Sequence, residues 1–180
     1  MAPAAGRTFP SVRALICWEY AKLISGHALG DRSAFGFVNA TYQRLLQRRV
    51  QPSTVLTENK QLALAPRGCA YCDSAGPLQW EHIVPRALGG PDCFDNLVLA
   101  CPACNRAKGA RDPYQWFALQ DRIDGVPRLV LGKLLKLVFN EYERLGLLDD
   151  AAYMAQHRIE RISLSRIFRK PSDAPCASPS

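Results

Sequence analysis

Cys69-Ala70-Tyr71-Cys72 and Cys101-Pro102-Ala103-Cys104 are separated by 28 residues, and two such pairs restrict a fold more than any other feature of this chain. Each pair predicts a tight knuckle, and the intervening chain can fold back so that four thiolates close tetrahedrally on one ion. Four cysteine ligands leave no open position for water, so zinc bound there is expected to be structural. Cys17, Cys93 and Cys176 have no partner at ligand spacing and read as ordinary residues.

Metal ligation rather than disulfide pairing presumes a reducing compartment. The four-residue apolar stretch from Ala14 to Cys17 is interrupted at once by Trp18, Glu19, Tyr20 and Lys22, unlike a signal peptide. Leu129 to Phe139 contains Lys133 and Lys136 and is too short to span a bilayer. A cytoplasmic protein with no membrane association is expected. With 180 residues, 48% of them hydrophobic and 22% charged, the chain has the balance of a packed globular unit and reads as one functional body. Its net charge of +7 is uneven: residues 1–68 carry nine Lys/Arg against three Asp/Glu, whereas residues 69–112 carry four against five. A basic flank beside a near-neutral centre suits a protein that holds a polyanion with one surface and acts on it with another.

Helical periodicity marks the flanks. Val12, Leu15, Ile16, Tyr20, Leu23 and Ile24 predict a helix over 12–25, with Gly26 as its stop. A second helix is expected over 35–49, with Phe35, Val38, Tyr42, Leu45 and Leu46 inward and Arg44, Arg48 and Arg49 forming an outward basic stripe. Residues 1–68 thus read as a basic helical region ending in a connector over 51–68. After the cysteine-rich centre at 69–112, a C-terminal helical region at 113–170 begins with Asp112-Pro113 as cap and first turn of a helix carrying Trp116, Phe117, Gln120 and Ile123. A longer helix over 128–145 places Leu131, Leu134, Leu135, Val138, Tyr142 and Leu145 on one face, and another starts at Asp149 or Asp150. Residues 171–180 read as a disordered tail.

Between the knuckles stand Trp80-Glu81-His82-Ile83-Val84-Pro85-Arg86, Gly89-Gly90 and Asn96-Leu97-Val98-Leu99, and the second knuckle runs on into Asn105 and Lys108. Over residues 69–111 this arrangement resembles the HNH nucleases, whose hairpin, loop and helix make a ββα-metal fold with a zinc knuckle joining its ends. The resemblance implies that His82 is the general base, that Glu81 and Asn105 ligate a catalytic cation, and that Asn96 braces the loop and orients His82. Many members carry Asp at the position of Glu81, but a branch with an E-H-I-x-P-x-x-L-G-G signature carries Glu, and this chain matches that branch.

The chemistry of these residue types agrees. Phosphodiester hydrolysis needs a water deprotonated near neutral pH, a task suited to imidazole with its unperturbed pKa of about 6.5. A carboxylate with an amide oxygen makes a hard site for Mg²⁺ or Mn²⁺ with positions left open. Glu81 and His82 are neighbours, so on a regular strand they point to opposite faces, and one of them must lie at a strand end or distortion to serve one site. The resemblance places the pair where the first strand gives way to the loop. Arg86, Arg106, Lys108 and Arg111 surround the centre as candidate backbone-phosphate contacts, which position a duplex without reading its sequence.

The expectation is an α+β protein with a zinc-stabilised ββα-metal core flanked by N-terminal and C-terminal helices. Its expected function is divalent-metal-dependent endonucleolytic hydrolysis of DNA, most naturally double-stranded. Two alternatives stay open: a non-catalytic nucleic-acid-binding zinc module, against which the retained His82 and Asn105 argue, and an RNA-directed nuclease of the same fold.

Overall fold

In a computed structural model the described residues are 7–48 and 68–169. Arg49, residues 51–67 of the expected connector, Cys176 and the expected tail from Pro171 lie outside them.

Helix α1, Val12–Leu29, starts where the Ser11 hydroxyl accepts the Ala14 amide at 3.3 Å. It runs past Gly26, the expected stop, and ends at Gly30, whose φ of 72° is the left-handed turn that glycine takes without penalty. Gly26 serves packing instead: a Cβ there would lie 2.7 Å from Cγ of Arg32, which crosses the helix to donate to the Asp124 carbonyl. Apolar residues bury α1 on most of its circumference, so it forms the axis of the molecule, with α2, Phe35–Leu46, on one side and α5, Arg128–Arg144, on another. Val38, Tyr42 and Leu45 face that core, but Phe35, expected inward, is 66% exposed at the first position of its helix.

The centre of the chain supplies a two-stranded antiparallel sheet, β1 Gln79–His82 and β2 Leu97–Ala100, followed by α3, Pro102–Lys108. Glu81 pairs with Val98 and His82 with Leu97. Helix α4, Pro113–Ala118, carries the expected cap, Asp112 and Gln115 forming a reciprocal capping box. It stops before Ile123, because Asp121 at φ 53° turns the chain and lets the Arg122 amide reach back to the Phe117 carbonyl. Ile123 sits on a separate short turn, Ile123–Gly125. Along α5 the expected stripe is buried as far as Tyr142, whereas Leu145 lies past the helix end, where Gly146 at φ 72° redirects the chain, and is 43% exposed. Helix α6, Ala151–Gln156, is capped by Asp150, and a 3-10 segment, Arg161–Phe168, for which no periodicity gave warning, closes the described chain.

One apolar cluster joins these parts. It unites Val12 and Leu23 of α1 and Leu134 and Val138 of α5 with Ile83, Val84 and Val98 around the hairpin and Leu164 near the C-terminus. The cysteine-rich centre is thus rooted in the helical core, a mixed α+β arrangement. Among the described residues no helix is long and apolar enough to cross a membrane.

Candidate active site and metal centre

The four sulfurs of Cys69, Cys72, Cys101 and Cys104 lie within 4.8 Å of one another. A tetrahedral zinc with Zn–S bonds of about 2.3 Å needs sulfurs about 3.8 Å apart, and those of Cys72 and Cys101 are 3.8 Å apart. Local backbone favours the thiolate form: the Cys104 amide donates to Cys101 Sγ at 3.4 Å, and that contact is the chief reason the Cys101 thiol is pulled down to about 6. Cys72 is likewise lowered by donation from Ser74. Burial raises Cys104, a cost that a bound cation would reverse. The site therefore fits zinc in both geometry and donor chemistry.

Strand alternation places Glu81 on the covered face of the hairpin, 5% exposed, and His82 on the other face as the last residue of β1. Both carboxylate oxygens of Glu81 are engaged. Oε2 accepts the Tyr71 hydroxyl at 2.8 Å, and Oε1 accepts the Lys108 ammonium at 2.5 Å. Lys108 also donates to the His82 carbonyl at 2.9 Å. This revises one expectation. Lys108, expected among the cations that contact backbone phosphates, has no side-chain exposure, because its ammonium is turned in to Glu81 and the His82 carbonyl.

The His82 ring points outward, with Nε2 3.0 Å from Asp92 Oδ1, and Asp92 is held below the usual carboxylate range chiefly by that contact and then by Arg86. Asn96 is fully buried. Its Oδ1 accepts the Val84 amide at 2.8 Å, and its Nδ2 donates to the carbonyls of Val84 at 2.9 Å and Pro91 at 2.8 Å. The Asn96 carbonyl accepts the Ile83 amide at 2.8 Å. Asn96 thus ties both ends of the loop after β1, while the side chain next to the His82 ring is Asp92. Gly89-Gly90 makes the clasp possible, since a Cβ at Gly90 would meet the Val84 carbonyl at 2.0 Å and one at Gly89 the Phe168 carbonyl at 2.1 Å.

Asn105 lies half-buried on α3, and among the described residues its side-chain amide makes no hydrogen bond, leaving its Oδ1 available. It precedes Lys108 by three residues, hence shares the helix face that looks toward Glu81. Each Glu81 oxygen takes one hydrogen bond, Oε2 from Tyr71 and Oε1 from Lys108, and retains a lone pair. Arg86, Arg106 and Arg111 are exposed, as are Arg44 and Arg48 at the far end of α2. A cavity of about 570 Å³ between α1 and the α6 region is lined by none of these residues. The centre instead lies open at the surface around His82 and Asp92, a form suited to a polymer.

Sequence reasoning missed Tyr71, Asp92 and Lys133. Tyr71 sits inside the first knuckle, where its position between two ligands hides its second task. Lys133 of α5 donates to the carbonyls of Phe94 at 2.9 Å and Leu97 at 2.6 Å, securing the turn that carries Asn96. Its place beside the apolar stripe of α5 held no sign of this.

Residues 69–111 match the family described as HNH endonuclease. The CRISPR-associated endonuclease Cas9 of Corynebacterium diphtheriae is 40% identical over 62 residues, which cover 32% of this chain and 6% of that protein. No solved structure matches.

Proposed function

We propose that this chain, whose residues 69–111 match the HNH endonuclease family, hydrolyses DNA phosphodiester bonds with a divalent cation, Mg²⁺ or Mn²⁺, using His82 as general base. The observation that carries the reading is the place of His82 at the end of β1, its ring turned outward against Asp92 where the centre is open, next to a Glu81 held in place by Lys108 and Tyr71.

An ionised carboxylate only accepts hydrogen bonds, so Asp92 selects the tautomer with the proton on Nε2 and leaves Nδ1 with the free lone pair. That nitrogen takes the proton of the attacking water. Glu81 and Asn105 hold the cation, which when bound supplies charge stabilisation to the phosphate and the leaving oxygen. Asn96 keeps the loop shut so that His82 and Asp92 stay in register. Zinc on Cys69, Cys72, Cys101 and Cys104 closes the module by tying the knuckle before β1 to the start of α3. Arg86, Arg106 and Arg111 contact backbone phosphates, with the 1–68 region adding a second basic surface through Arg44, Arg48 and Arg49.

The test is incubation of purified, zinc-loaded protein with supercoiled plasmid and Mg²⁺ or Mn²⁺. Cleavage that EDTA abolishes and that His82→Ala lacks is the expected outcome. Wild-type cleavage by His82→Ala overturns the assignment of the base, and selective turnover of RNA in place of plasmid moves the substrate to the RNA-directed alternative.

A further inference from the structure

Resting on the cation reading of Glu81 above, we propose that Lys108 is a positioning residue that sets how tightly the centre takes its divalent cation, by sharing the Glu81 carboxylate with it. The ammonium is wholly enclosed and has two acceptors, Glu81 Oε1 at 2.5 Å and the His82 carbonyl at 2.9 Å. Enclosure matters because charges removed from water interact far more strongly than exposed ones, and a buried carboxylate without a counter-charge is strongly destabilising. Lys108 therefore holds the Glu81 carboxylate in place whether or not another cation is present.

The same contact has a cost for the cation. A divalent ion on the remaining lone pairs of Glu81 meets a carboxylate already neutralised by one positive charge and must lie near that charge. Lys108 thus weakens the ion's binding while fixing the geometry that the ion requires. Two further placements agree, and the second acceptor of Lys108 adds to them. Tyr71, from the first zinc knuckle, holds the other oxygen of Glu81. Asn105 stands one turn before Lys108 on α3, so the Lys108 contact also anchors the helix carrying the amide ligand. The bond to the His82 carbonyl holds the end of β1 from which the base projects. Lys108 acts through Glu81 and the main chain.

The experiment is calorimetric titration of zinc-loaded full-length protein with Mn²⁺, without DNA, for the wild type, Glu81→Gln, Lys108→Met and Tyr71→Phe. Glu81→Gln is expected to abolish the wild-type isotherm. Lys108→Met is expected to tighten Mn²⁺ binding roughly tenfold, the effect commonly exerted by one neighbouring unit charge. Tyr71→Phe, which removes a neutral donor, is expected to change it less than about threefold. A Glu81-dependent isotherm that Lys108→Met leaves equal or weaker overturns the role of Lys108 alone. A wild type without a Glu81-dependent isotherm removes the cation reading itself and this role with it. Should Lys108→Met fail to fold, the wild-type protein still decides. The protected ¹⁵Nζ resonance of Lys108 must move on titration with Mg²⁺ and saturate at the calorimetric midpoint, and a resonance that stays fixed at saturating Mg²⁺ overturns the proposal.

Discussion

Asn96 grips Val84 from both sides of the peptide chain, accepting its amide at 2.8 Å and donating to its carbonyl at 2.9 Å. Two residues twelve apart are thereby joined as tightly as a sheet pair, with no exposure at either. Asn96→Ala strands the buried amide and carbonyl of Val84 and the part-buried carbonyl of Pro91, at about 1–3 kcal/mol for each buried group left unpaired. A drop in stability of about 3 kcal/mol or more is expected from the denaturant midpoint. Gly90→Ala should fall in the same class, because its methyl has to displace the Val84 carbonyl.

Zinc removal should unfold the centre rather than slow it. Cys72→Ser is expected to lose metal, which wild-type protein should hold at about one zinc per chain, and to give melted or insoluble material. Elemental analysis with a near-ultraviolet circular dichroism melt checks both. A soluble, cooperatively folded protein free of zinc contradicts the structural assignment of the four cysteines.

His82→Ala should fold, hold zinc and bind DNA as before, while cleavage falls by about 10²- to 10⁴-fold, the usual contribution of a general base. Asp92→Ala removes only the carboxylate that orients the ring, and that carboxylate is exposed. A smaller loss of about tenfold is expected, with DNA affinity unchanged in a filter-binding assay. Equal losses in the two variants would mean that Asp92 does more than select a tautomer.

Asn105→Ala should raise the Mg²⁺ or Mn²⁺ concentration needed for half-maximal cleavage, since it deletes a neutral ligand and leaves the base in place. Glu81→Ala should do so more severely, because it also leaves the Lys108 ammonium buried without its counter-charge. Glu81→Asp should retain part of the activity. A cation titration across the three variants, with zinc content measured in each, gives the order.

Replacing Arg44, Arg48 and Arg49 together by Ala should weaken DNA binding at low salt and flatten the dependence of log K on log salt, as fewer counterions are released. Arg44 and Arg48 are exposed as that requires. An unchanged slope would place the DNA on another face.

What the sequence by itself determined is the chemistry that short-range spacing encodes. Each cysteine pair forms its own knuckle because a two-residue spacing is a local turn. Asp112-Pro113 starts a helix because cap and first turn are adjacent, and the stripe of α5 is buried because a 3.6-residue period repeats. Signals of this kind fade where the deciding contact is remote. Gly26 reads as a stop until Arg32 is seen to cross it, and Lys108 reads as a surface cation until Glu81, 27 residues away, is found at its ammonium. Lys133 reaches 36 residues back to hold the turn before β2, and Asp92 meets His82 only once Asn96 has closed the loop between them. Residue type declares which charges and hydrogen-bonding groups a chain possesses. Which are buried together, and so which interact strongly, is decided by packing, since only the folded core removes the water that would otherwise screen them.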